Sequence, residues 1–183
     1  MSEQSSSSTW VDPENDPRDS GRSPEGERET LLDYLRAQRL TFQMKCEGLE
    51  PGQLAERSVP PSSLSLLGLV RHLVDVEHQW FRQVVAGSDQ PRPFRTTEDR
   101  DADFNGAVGD EATVAEAWSQ WEAAVADAGR IVEGVPDLST TFAMANGHRI
   151  ALRELLVHLV EEYARHNGHA DLLRERIDGR TGQ

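Results

Sequence analysis

The 183-residue sequence contains one cysteine, Cys46, which excludes an intramolecular disulfide framework and fits a reducing compartment. Its longest apolar runs fall far short of the roughly 20 residues needed to cross a bilayer, so no membrane span is expected. The first residues, MSEQSSSSTWVDPENDPRDSGRSPEGE, lack the basic patch and apolar stretch of a secretory leader, and the cytoplasm is the expected location. Positive charge is also scarce. A formal net charge of −13 repels phosphates and argues against a nucleic-acid partner. Local basic residues such as Arg174 and Arg176 alternate with Glu175 and Asp178 and read as a solvated helix face. No internal repeat occurs, and no segment of strand period is long enough to build a sheet.

What remains is helical patterning. Residues 1–24 are rich in Ser, Pro, Asp, Glu and Gly with hardly an apolar anchor, and read as a disordered tail in which Trp10 is the one exception. A single domain is expected over residues 25–179, followed by a short tail, 180–183. Within it, Leu31, Leu35, Phe42, Cys46 and Leu49 share one face of a first helix over 27–49, with Cys46 as a small core residue. Prolines then break the chain, allowing one turn near 53–56. Ser65 is the candidate N-cap of a second helix that carries Leu66, Leu69, Leu73 and Phe81 as far as Gly87. The stretch 88–110 has no period and is long for a helix connection. Thr113 and Glu116 read as a capping box for a third helix with Trp118 and Trp121 in the core. The last helix is expected over 151–177, ending at Gly179. The fold class is all-α, with four antiparallel packed helices as the simplest architecture.

The last helix carries the densest chemistry. His158, Glu162, His166 and His169 follow at spacings of four, four and three, which places them on one face. Leu152, Leu155, Leu159 and Tyr163 border that face, so Glu162 and His166 point partly into the bundle. A buried carboxylate needs compensation, from a metal ion reached by Glu162 and His166 from consecutive turns, from an internal pair with Arg165 or Arg39, or from hydrogen bonds among core polar groups. His72 on the second helix lies between Leu69 and Val76 at helical spacing; alone it reads first as a hydrogen-bonded core histidine. His78, near Asp75 and Arg82, reads as surface. Two imidazoles and a carboxylate suit zinc with an open position, and also iron or nickel. Asp75 and Glu161 are candidate acceptors for the remaining ring nitrogens.

The words SLLGLVRHLVDVEHQWF and LLVHLVEEYARHNGHADLLRERIDG together resemble the actinobacterial mini-circle protein family, within the DinB-like superfamily. The resemblance spans about Thr30 to Gly182. It implies an up-down-down-up four-helix bundle, often a homodimer, with one divalent metal ion, zinc first, held by His72, Glu162 and His166. That set is similar to the one in the related mycothiol-dependent maleylpyruvate isomerase. The chemistry implied is transfer of a small-molecule thiol to an electrophile, with His169 or His158 moving a proton and Arg165 or Arg174 holding a substrate carboxylate. A non-enzymatic metal-binding or stress-response protein and a metal-dependent hydrolase are the alternatives.

Overall fold

The computed structural model describes residues 10–182. Helices dominate it. Helix α1 spans Gly26–Cys46, α2 is the turn Pro51–Leu54, and α3 runs Leu66–Glu77 and continues without a break as a π-helical segment, His78–Val85. Then come the short α4, Ala102–Asn105, the long α5, Glu111–Glu133, a two-stranded hairpin, and α6, Leu152–Asp178. The hairpin pairs β1, Thr141–Ala143, with β2, Arg149–Ala151, antiparallel, with Phe142 opposite Ile150. Strands this short carry no readable period, and this pair was not anticipated in the sequence.

Capping explains several of the boundaries. The Ser65 hydroxyl accepts from the Gly68 amide at 3.1 Å, which starts α3 where expected. Helix α5 starts earlier than the Thr113/Glu116 reading placed it: Asp110 is the N-cap, accepting from the Thr113 amide at 2.8 Å and the Thr113 hydroxyl at 3.0 Å. Helix α6 ends at Gly179, whose φ of 76° is the left-handed stop that glycine adopts most readily.

Helix α1 packs along α6, and α3 packs on α5, α4 and α6. Almost every residue of α3 is buried, and Leu69, Leu73, Phe42, Leu155 and Leu159 meet in a common core. One polar cluster joins all four long helices through that core. Arg39 of α1 donates from Nε and Nη2 to the two Glu77 oxygens at 2.8 and 2.7 Å. Tyr163 of α6 donates to Glu77 at 2.8 Å and accepts from Trp121 Nε1 of α5 at 3.1 Å. The fork-on-fork geometry offsets the cost of taking both charges out of water. Arg39 therefore belongs to Glu77, not to the histidine-bearing face of α6. Trp121 is core as expected, whereas Trp118 is half-buried.

Residues 1–9 of the expected tail lie outside the described residues. Residues 10–24 differ from a tail without anchors, because Trp10 is buried. The Lys45 ammonium sits 3.9 Å and the Arg180 guanidinium 4.0 Å from its ring centroid, and Arg180 also donates to the Trp10 carbonyl at 3.0 Å. Arg36 holds the same segment through the carbonyls of Pro17 and Arg18. Arg174, read from sequence as solvated, is buried; it donates to the carbonyls of Lys45 and Glu47 at 3.0 and 2.7 Å and pairs with Asp178. It ties α6 to the end of α1 and is not free to hold a substrate.

Candidate metal centre

His72 projects from α3, and Glu162 and His166 project from successive turns of α6. Their nearest ligand atoms all lie within 4.8 Å of one another. Glu162 Oε2 and His166 Nε2 are 3.5 Å apart, close to the about 3.4 Å that separates two donors bound at about 2.1 Å to one tetrahedral ion. The His72 and His166 rings meet edge to face with centroids 4.8 Å apart. Burial, followed by the charges of His72, His169 and Arg165, pushes His166 down to about 3. At neutral pH its imidazole is uncharged and keeps the lone pair that a metal requires. The donor set, two imidazoles and a partly buried carboxylate, fits a divalent cation.

The orientation of His72 comes from a part of the chain that its own helix does not contain. Asp103 of α4, wholly buried, places Oδ2 at 2.9 Å from His72 Nδ1. A carboxylate only accepts, so the ring carries a proton on Nδ1 and turns Nε2 to the other side. Phe104 stacks on His72 with centroids 5.3 Å apart and fixes the ring plane. Helix α4 is pinned in turn: Arg71 donates to the carbonyls of Asp103 and Ala102 at 2.8 and 3.1 Å. Gly68 permits the approach, since a Cβ there would stand 2.7 Å from the Phe104 ring. Asp75, an expected acceptor for a ligand histidine, instead accepts from the amides of Phe94 and Arg95 at 3.0 and 2.7 Å and fastens the loop before α4. Glu161 is exposed.

The remaining sequence candidates separate. His169 joins the centre, with Nδ1 at 3.3 Å from His166 Nδ1. His158 packs against Trp80, ring centroids 4.7 Å apart, and lines a shallow groove with Leu31 and Val157. Arg165 is exposed and, among the described residues, makes no hydrogen bond or ion pair. His78, expected at the surface, is buried, and its Nδ1 has no partner among the described residues. Cys46 is buried, and that burial pushes its thiol well above the usual cysteine range, so it supplies no thiolate at neutral pH.

Asp103 and Phe104 are the residues that reasoning from sequence missed. They sit in DRDADFNG, a run whose acidic residues and lack of period read as connection, and only a four-residue helix marks it. No curated protein and no solved structure gives a significant match to the chain. The family described as Mycothiol-S-transferase does match, over residues 30–179. The match carries the DinB-like character of the sequence resemblance, though not the mini-circle name. It covers most of the chain and contains every residue of the centre, so the chain belongs to the mycothiol-S-transferase family.

Proposed function

We propose that the chain is a divalent-metal-dependent S-transferase, built as an up-down-down-up DinB-like bundle, that joins mycothiol to a small electrophile. The convergence of His72, Glu162 and His166 from two helices carries this reading, and the family match supplies the thiol. These three residues would hold a divalent ion, zinc first with nickel or iron as alternatives, which would favour a thiol in its nucleophilic, deprotonated form.

The chain's own groups do the rest. Asp103 keeps His72 in the tautomer that presents Nε2, and Phe104 shields that ring from water on one face. His169, whose Nδ1 lies 3.3 Å from His166 Nδ1, accepts a hydrogen bond from that ring nitrogen and orients the ligand, and the thiol proton passes to solvent. A carbon–sulfur bond forms from the sulfur lone pair. With a halide-type electrophile the carbon–halogen bond breaks and the halide leaves with the electron pair. With an activated alkene the electron pair moves to carbon, which takes up a proton. Nothing is oxidised or reduced overall. His158, turned toward Trp80, and Arg165, in solvent, carry no step in this scheme.

The test is adduct formation. Zinc-loaded protein is incubated with mycothiol and a panel of alkyl halides and activated alkenes, with thiol loss followed by absorbance and adduct by mass spectrometry. Adduct that disappears on chelation and in His166→Ala supports the reading. Turnover retained in His166→Ala, or none with any electrophile, overturns it.

A further inference from the structure

A carboxylate taken wholly out of water needs a compensating charge. Asp103 has no solvent exposure, and its two oxygens have few partners. Oδ1 accepts from the Phe104 amide at 3.1 Å, and Oδ2 lies 2.9 Å from His72 Nδ1. Arg71 is close, but it donates to the peptide carbonyls of Asp103 and Ala102 rather than to the carboxylate. Among the described residues, Arg95 is the one arginine or lysine within ion-pair reach of the carboxylate, with Nε at 4.0 Å from Oδ2.

That distance is too long for a hydrogen bond and short enough for a charge to be felt. Arg95 is held there by other bonds. Its amide donates to the Asp75 carboxylate at 2.7 Å, and its Nε donates to the Arg100 carbonyl at 2.6 Å. The turn between them is closed by the Thr96 amide, which donates to the Asp99 carbonyl at 3.1 Å, and by the Thr96 hydroxyl, which accepts from the Asp99 amide at 3.0 Å. The Arg95 side chain is 31% exposed, so water screens part of its field and leaves part of it. Asp103 Oδ2 therefore stands between two groups that draw on the same charge: the His72 N–H on one side and a fixed guanidinium on the other.

Resting on the metal-centre reading, we infer that Arg95 is a positioning residue that tunes His72 through Asp103. A carboxylate bonded to the far nitrogen of a metal-binding histidine makes the imidazole a stronger donor. A guanidinium beside that carboxylate opposes the effect, so the His72 N–H bond is weaker, and the imidazole a milder donor, than Asp103 alone would make them. The centre then binds its ion less tightly and leaves it more electron-poor, which is the condition that favours an ionised thiol.

Two variants of the full chain separate charge from structure. Arg95→Gln keeps a donor for the Arg100 carbonyl and removes the charge, whereas Arg95→Lys keeps the charge. Zinc affinity is measured at mildly alkaline pH by competition with a chromophoric chelator, and circular dichroism certifies each fold. Affinity should rise about three- to tenfold in Arg95→Gln and stay within about twofold of native in Arg95→Lys. A purely structural role has the opposite sign, because a loosened loop weakens the centre. Affinity that falls or stays level in Arg95→Gln, or that rises equally in both variants, overturns the inference. The route is read in an Asp103→Asn background, where Arg95→Gln should change affinity by less than about twofold; a gain as large as in the native background shows Arg95 acting without Asp103 and overturns the relay. A metal-free arm follows the hydrogen bond itself: the His72 Nδ1 proton should move downfield by NMR in Arg95→Gln and hold its place in Arg95→Lys, and a proton unmoved in both overturns the inference. If native protein takes up no zinc, the metal-centre reading fails while that resonance still decides whether Arg95 acts on His72.

Discussion

Replacing Asp103 by alanine removes the one acceptor that fixes the His72 tautomer. The lost contact is a 2.9 Å hydrogen bond to a carboxylate with no solvent exposure, worth about 1.5–3 kcal/mol for a charged partner. Acceptors that orient a metal-binding histidine contribute about 10–100-fold in metal affinity, or about 1.4–2.8 kcal/mol, and the two ranges agree. Two further effects push the same way. Asp103 Oδ1 accepts from the Phe104 amide at 3.1 Å, so the ring stacked on His72 loosens, and Arg95 is left as an unopposed cation beside the imidazole. Zinc affinity measured by competition with a chromophoric chelator should fall about 10–100-fold in Asp103→Ala. It should fall less in Asp103→Asn, which keeps an acceptor oxygen without the charge. Affinity in folded Asp103→Ala within about twofold of native would refute the claim that this carboxylate orients a ligand.

Three other outcomes follow from the packing. Tyr163→Phe strips Glu77 of one donor and leaves Trp121 Nε1 without an acceptor in the core; urea unfolding should show a loss of about 1–3 kcal/mol, and an unchanged midpoint would count against the four-helix polar cluster. Gly68→Ala forces a methyl against Phe104 at 2.7 Å, so stability should fall by about 1–3 kcal/mol and zinc should bind more weakly as the ring shifts; a variant as stable and as avid as native contradicts the contact. Cys46, buried with its thiol pushed upward, should resist iodoacetamide in native protein at mildly alkaline pH and react fully in urea; prompt native labelling would show that the end of α1 opens.

The long helices were legible because their cores announce themselves. Leu66, Leu69, Leu73 and Phe81 repeat at helical spacing, and Ser65 and Gly179 sit where a start and a stop are needed. Glu162 and His166 were legible as one-helix neighbours for the same reason. Their closeness to His72 was not, because no spacing within a helix reports what faces it; there the family resemblance named the partner, and the packing of α3 on α6 brings it within reach. Asp103 and Phe104 were hidden for a different reason. They sit on a single turn of helix held by Arg71, after a loop fastened by Asp75, side chains whose contacts lie across the fold. The tail reading rested on composition, which averages over a segment; Trp10, its one exception, is covered by Lys45 and Arg180. His78 was misjudged by its charged neighbours in sequence, although the π-helical turn buries it.

Metal content by mass spectrometry on untagged protein, native beside His72→Ala and Glu162→Ala, tests the centre most directly. The account predicts near one equivalent of a divalent metal in native protein and its loss in both variants, with helicity retained. Native protein that takes up no metal after reconstitution, or variants that keep it, would contradict the centre formed by His72, Glu162 and His166.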